Sequence, residues 1–144
     1  MGHRFADPAL LALALSHSSW AYENGGAESN ERLEFLGDAV LSVCVVRRLY
    51  RIRPAMTEGE MSHVRSEVVS GSTLAAVAAG YGVGDVLRLG RGEDSGGGRT
   101  NPRLLEDAFE AVIGAVFLDG GDAAACDLVM RALGDRIAAA IRRA

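Results

Sequence analysis

At 144 residues, 49% of them apolar, the chain has room for one domain with a sizeable core and not for two. Asp and Glu outnumber Lys and Arg by 19 to 15, giving a formal charge of −4. That excludes the broad basic face of a tight nucleic-acid binder, unless carboxylates sit on divalent cations that reverse the local field.

The first apolar run, Ala9 to Leu15, is too short for a membrane span and lacks a cleavage-site pattern, so a cytoplasmic protein is the expectation. Asp7 followed by Pro8 is an N-cap and first-turn pair for a helix through about Leu15. Asn30 is placed to cap a long helix from Glu31 to about Arg51, which Pro54 ends. Thr57 with Glu60 forms a capping box for a helix through about Val69, and Ser72 or Thr73 restarts a helix through about Ala79. Glycines at 80, 82, 84, 90, 92, 96, 97 and 98 mark turns and a flexible loop. Gly92 and Gly97 have P-loop spacing, but Gly98 and Arg99 stand where that motif needs Lys and then Ser or Thr. Asn101 and Pro102 open a helix to about Leu118, Gly120 and Gly121 stop it, and Asp122 caps a last amphipathic helix. No stretch alternates long enough for a half-buried strand, so the prediction is one all-α domain over residues 1–144.

Two helices carry the chemistry. Leu33 to Val46 is apolar almost all round, which predicts a central, buried helix. Yet Glu31, Glu34 and Asp38 lie along one strip of it, at spacings of three and four. The helix from Pro102 repeats the arrangement with Asp107 and Glu110. Each strip has an interior glycine nearby, Gly37 and Gly114, at a cost of roughly 1 kcal/mol relative to alanine, and close approach of two backbones is a reason to have them. Packed together, the strips converge hard oxygen donors without imidazole or thiolate, a set suited to Mg²⁺ or Mn²⁺. Separately, each pair has a plainer reading: Glu31 and Glu34 as a solvated face with helical ion pairs, Asp107 and Glu110 as an acidic first turn favoured by the helix dipole. The joint occurrence of both pairs and both glycines favours the metal. Cys44 and Cys126 fall in apolar helical patterns and read as buried thiols.

The text Asn30-Glu31-Arg32-Leu33-Glu34-Phe35-Leu36-Gly37-Asp38-Ala39-Val40-Leu41 resembles the signature of the ribonuclease III family nearly residue for residue. The likeness continues through Ala14-Leu15-Ser16-His17, Glu58-Gly59-Glu60-Met61, Leu89-Gly90-Arg91-Gly92-Glu93 and Glu110-Ala111-Val112-Ile113-Gly114-Ala115. It implies the family's helical endonuclease fold as a homodimer, and a Mg²⁺-dependent endonuclease acting on double-stranded RNA in RNA processing, with Mn²⁺ as substitute. Products would carry 5′ phosphate and 3′ hydroxyl ends with short 3′ overhangs. By motif, Glu34, Asp38, Asp107 and Glu110 match the catalytic metal ligands, Glu31 and Glu58 further acidic positions at the cleavage site, and Phe35 the aromatic that enters a cavity of the partner subunit.

The sequence departs from the family pattern at Arg103, where a small residue is usual, at Glu106, where Ala is usual, and at Gly96, which replaces Ser or Thr. No double-stranded-RNA-binding domain follows before Ala144, which implies a natural short form or a fragment. The signature text favours the ordinary branch over the short Mini-III branch. Candidate RNA contacts are Arg65, Ser66, Arg99 and Thr100, reading A-form shape, phosphates and 2′ hydroxyls. The alternative is a non-catalytic dimeric RNA-binding or scaffold member of the same fold; a di-iron bundle is disfavoured because Glu60-Met61-Ser62-His63 supplies only one of two E-x-x-H motifs.

Overall fold

Two long helices organise the computed structural model, which describes residues 1–144: α3 (Glu31–Ile52) and α8 (Pro102–Arg143). Around them pack α1 (Pro8–Ala14), α2 (Ser18–Glu23), α4 (Glu58–Val68), α5 (Gly71–Gly80), α6 (Val83–Val86) and α7 (Arg91–Ser95), with a 3-10 turn at Gly98–Thr100. The all-α prediction holds. The β features amount to one isolated parallel bridge between Ser16 and Arg88, in which Arg88 N donates to Leu15 O at 2.8 Å.

The central element is α8 rather than α3. Ala108 to Val116 are buried without interruption, so this stretch has no solvent face at all. α3 packs on it through Leu33, Gly37, Val40, Leu41, Cys44, Val45 and Leu49, while Phe35, Ala39, Val43, Val46 and Tyr50 face solvent. Its all-round apolar sequence therefore does not mean all-round burial, a correction to the sequence reading. Halfway along, α8 breaks at Gly121, whose φ of 84° and ψ of −175° suit only glycine. The stop at Gly120 and Gly121 is thus a sharp bend, and the chain resumes directly as helix.

Local chemistry explains the starts. Asp7 accepts from Ala9 N, Asn101 from Arg103 N, and Thr57 and Glu60 form the reciprocal capping box. Ser70 caps α5, two residues before the predicted Ser72. Asn30 makes no capping bond: buried, it donates from Nδ2 to Ala14 O at 3.1 Å and ties the start of α3 to the end of α1. Asp119 accepts from the Ala6 and Asp7 amides and from His3 Nε2, fastening the N-terminal segment to α8. Cys44 and Cys126 are joined in a disulfide between α3 and the second half of α8, with Cα atoms 5.2 Å apart, so the reading of two thiols is corrected. Residues 82 apart in sequence give no local signal of that pairing.

Candidate metal centre

α3 and α8 touch backbone to backbone where they cross. A Cβ on Gly37 would fall on the Glu110 carbonyl and stand 3.0 Å from Gly114 N, and one on Gly114 would fall on the Leu33 carbonyl. The two interior glycines thus set the spacing of the helices. That contact brings the acid strips onto one side of the crossing. Glu34, Asp107 and Glu110 each offer a carboxylate oxygen within 4.8 Å of the others. Asp38 lines the same cavity of about 410 Å³, with Glu31, Phe35, Arg103, His17 and Asn30.

Burial and like charge act together on the cluster. Glu110 is only 8% exposed, makes no hydrogen bond, and is pushed up to about 8, first by burial and then by the charges of Asp38, Glu106, Glu34 and Asp107. Burial also raises Glu34, reinforced by Asp107 and Glu31, and raises Asp107, against which Arg103 and His17 pull. Glu106 is raised by burial and by Asp107. A buried carboxylate without a partner is costly unless a cation satisfies it. Hard oxygen donors with no sulfur or imidazole in the trio fit a small divalent cation of the Mg²⁺ or Mn²⁺ kind.

The other predicted residues are spread more widely. Glu31 is exposed at the cavity rim and accepts from Ser29 Oγ at 2.9 Å. Glu58 lies outside the cavity, in the first turn of α4, where it accepts from Ser62 Oγ. Arg65 and Ser66 are exposed on α4. Arg99 spends its guanidinium internally, on Asp94 and on the Gly84 and Leu87 carbonyls, and Thr100 Oγ1 donates to Gly97 O. Phe35 is 84% exposed and borders a hollow of about 530 Å³ lined by Leu10, Leu13, Leu33, Leu36 and Leu118, with Glu28, Glu31 and Arg32 as its charged members.

Residues 7–137 match the family model described as Ribonuclease-III-like. The chain belongs to the ribonuclease III family. It is 52% identical over 132 residues to Ribonuclease 3 of Leifsonia xyli, covering 92% of this chain and 56% of the relative. It is 53% identical over 135 residues to Ribonuclease 3 of Nitratidesulfovibrio vulgaris, covering 93% and 53%. The chain therefore spans about half the length of the curated relatives it matches. The nuclease domain of ribonuclease III from Campylobacter jejuni, described as flexible in a region involved in dimer formation, superposes with a TM-score of 0.87 at 35% identity, over 92% of this chain and 90% of that one. Dicer from Pichia stipitis superposes with a TM-score of 0.70 at 27% identity, over 95% of this chain and 59% of that one.

On this ribonuclease III scaffold, the motif reading misses one residue that lines the cavity, Arg103, and one whose charge reaches it from outside the lining, Glu106. Arg103 and Glu106 are visible in the sequence only as departures from the family pattern; the signal that places them is helical register, since 103, 106, 107 and 110 share one strip. His17 reads as a structural or surface residue, and it does cap α2 through Nδ1, but it also lines the cavity.

Proposed function

We propose that this chain is the nuclease unit of a divalent-metal-dependent endoribonuclease that hydrolyses double-stranded RNA, leaving 5′ phosphate and 3′ hydroxyl ends with short 3′ overhangs. The observation that carries the reading is the trio Glu34, Asp107 and Glu110, carboxylates crowded within 4.8 Å of one another in one cavity of a ribonuclease III scaffold. Glu34, Asp38, Asp107 and Glu110 are the residues to hold Mg²⁺, with Mn²⁺ as substitute. When bound, such a cation supplies Lewis acidity at the phosphate and offsets charge on the departing 3′ oxygen.

The residues themselves do the positioning. Glu34 and Asp38 project from one helix and Asp107 and Glu110 from another, so the cluster is held by the rigid contact at Gly37 and Gly114 rather than by loops. Glu110 holds a proton near neutrality and must release it to act as a ligand. Glu31 and Glu58 stand as auxiliary acidic groups. Arg65, Ser66 and Thr100 are exposed candidates for backbone contacts with A-form RNA, whereas Arg99 supports the loop that presents Thr100.

A second copy of the chain completes the unit. An exposed Phe35 beside an apolar hollow is a self-complementary pair of features, which suits a two-fold interface where each Phe35 enters the other copy's hollow. Dimerisation would bring two carboxylate clusters to one duplex, one for each strand. The test is incubation of the purified chain with a long RNA duplex, with and without Mg²⁺, followed by analysis of the product ends. Short duplexes with 5′ phosphates are the expected result; binding without any cleavage would move the chain to the non-catalytic scaffold reading.

A further inference from the structure

One cation stands among the carboxylates. Arg103 lies in the first turn of α8, one turn before Glu106 and Asp107, and its side chain lines the mouth of the acidic cavity. Glu34, Glu106 and Asp107 all feel its charge. Even so, it forms no ion pair: the pairs in the structure join His3 to Asp119, Arg32 to Glu28, Arg47 to Asp122, Arg99 to Asp94 and Arg143 to Glu67. Its guanidinium also makes no hydrogen bond, and the residue is exposed. This contrasts with Arg99, whose fork is fully committed to protein groups.

Resting on the endonuclease reading above, we propose that Arg103 is a substrate-phosphate contact at the mouth of the cleavage site. A planar guanidinium with free donors matches a phosphate bidentately, and an acidic cavity needs a positive group at its edge if a polyanion is to approach. Arg103 then serves two partners in turn. Without a metal it offsets part of the negative charge of Glu34, Glu106 and Asp107. Once a dication takes over that role, the side chain is free to hold the RNA backbone beside the cluster.

The two roles oppose each other when the charge is removed, which makes the idea testable. In the Arg103→Ala variant, Ca²⁺ or Mn²⁺ should bind the RNA-free protein a few-fold more tightly by calorimetry, because a repelling charge has gone. An RNA duplex held uncleaved in Ca²⁺ should bind more weakly, with the log–log salt slope reduced by about 0.9 per lost phosphate contact. Arg103→Lys should keep the wild-type salt slope while losing part of the affinity, since a point charge replaces a fork. A thermal melt of each variant shows that the fold is intact. If Arg103→Ala tightens the metal but leaves duplex affinity and salt slope at wild-type values, Arg103 is only a counter-charge and the proposal is overturned. If the wild-type chain itself neither binds nor cuts duplex RNA, the endonuclease reading falls and takes this inference with it.

Discussion

The two faces of α3 break opposite rules. Toward α8, the helix packs so tightly that a glycine is needed on each side, and there the seam shelters Glu110, a carboxylate with no partner. Toward solvent, it presents Phe35, Val43, Val46 and Tyr50, which are 84, 56, 39 and 72% exposed. An acid is buried on one side and an apolar stripe is wet on the other. Each costs stability in the isolated chain, and each is relieved by something from outside: a cation for the first, an apolar surface for the second. Consistency between sequence and fold is lost at functional places, and here the two losses lie on opposite sides of α3, the buried acid across the seam on α8 and the wet stripe on α3 itself.

The largest effect should come from neutralising the acidic face. Asp38→Asn and Glu110→Gln keep shape and remove charge, and each is expected to slow Mg²⁺-dependent cleavage by about 100-fold or more. Fold should survive, because Glu110→Gln keeps the shape of a carboxyl that is held up to about 8 and spares the cluster the charge it would acquire above that pH. In scanning fluorimetry at pH 8 without metal it should melt no lower than wild type, and it should gain less from added Mg²⁺. Near-normal cleavage by either variant would remove these residues from the site, and lost cleavage together with unfolding would return them to a structural role.

Next comes the seam that holds the face in place. Gly37→Ala sets a methyl against the Glu110 carbonyl, which belongs to a buried helix and has nowhere to retreat. We expect a loss of about 3 kcal/mol in urea denaturation. Gly134→Ala is the control: it lies in α8 with nothing within 4 Å of an added Cβ, so it should stabilise by about 0.5–1 kcal/mol. Equal midpoints for the two variants would mean that the helices are not held by that contact.

Much of the acidic face is legible in the sequence, because i, i+3 and i, i+4 spacing plus misplaced glycines are local signals. The caps at Asp7, Thr57 and Asn101 are local too, and they stand as read. What escapes is set by distant partners. Asn30 looks like a cap until Ala14 O claims its amide. Asp119 carries no local mark of its role, which is to accept from three groups of the N-terminal segment. Cys44 and Cys126 look like thiols until α3 meets the far half of α8. The burial of α3 is misjudged for a related reason: apolar periodicity records which residues seek cover, not whether the cover belongs to the same chain.

The apolar face gives the third test. Phe35→Ala removes the most exposed large side chain of the stripe, and dimer dissociation should rise at least about ten-fold in analytical ultracentrifugation, as for a central aromatic anchor. The metal-free melting temperature extrapolated to infinite dilution should barely change, since Phe35 touches little in its own subunit. A wild-type chain that sediments as a monomer at micromolar concentration would leave the stripe without its second copy.

The smallest effect concerns protons, and its sign follows from Glu110. Unfolded, this carboxyl titrates near 4.5; folded, it is held up to about 8. Between those values the folded chain keeps a proton that the unfolded chain has lost, so unfolding free energy falls as pH rises. The contribution is fully present below about 4.5 and is gone once the pH has passed about 8. Glu34, Glu106 and Asp107 are shifted the same way and add to the slope. Glu60 and Asp119 are shifted downward and act only at more acid pH, so a comparison from pH 5.5 to 8 is clear of them. Over that range the metal-free melting temperature should drop by about a few degrees, and Glu110→Gln should flatten most of the drop while leaving any histidine contribution in place. Divalent binding should run the other way, strengthening with pH and releasing protons that calorimetry in buffers of different ionisation heat will count. Parallel slopes for wild type and Glu110→Gln would show that Glu110 is ionised in the metal-free fold, and the contrast between the two faces of α3 would then rest on the apolar stripe alone.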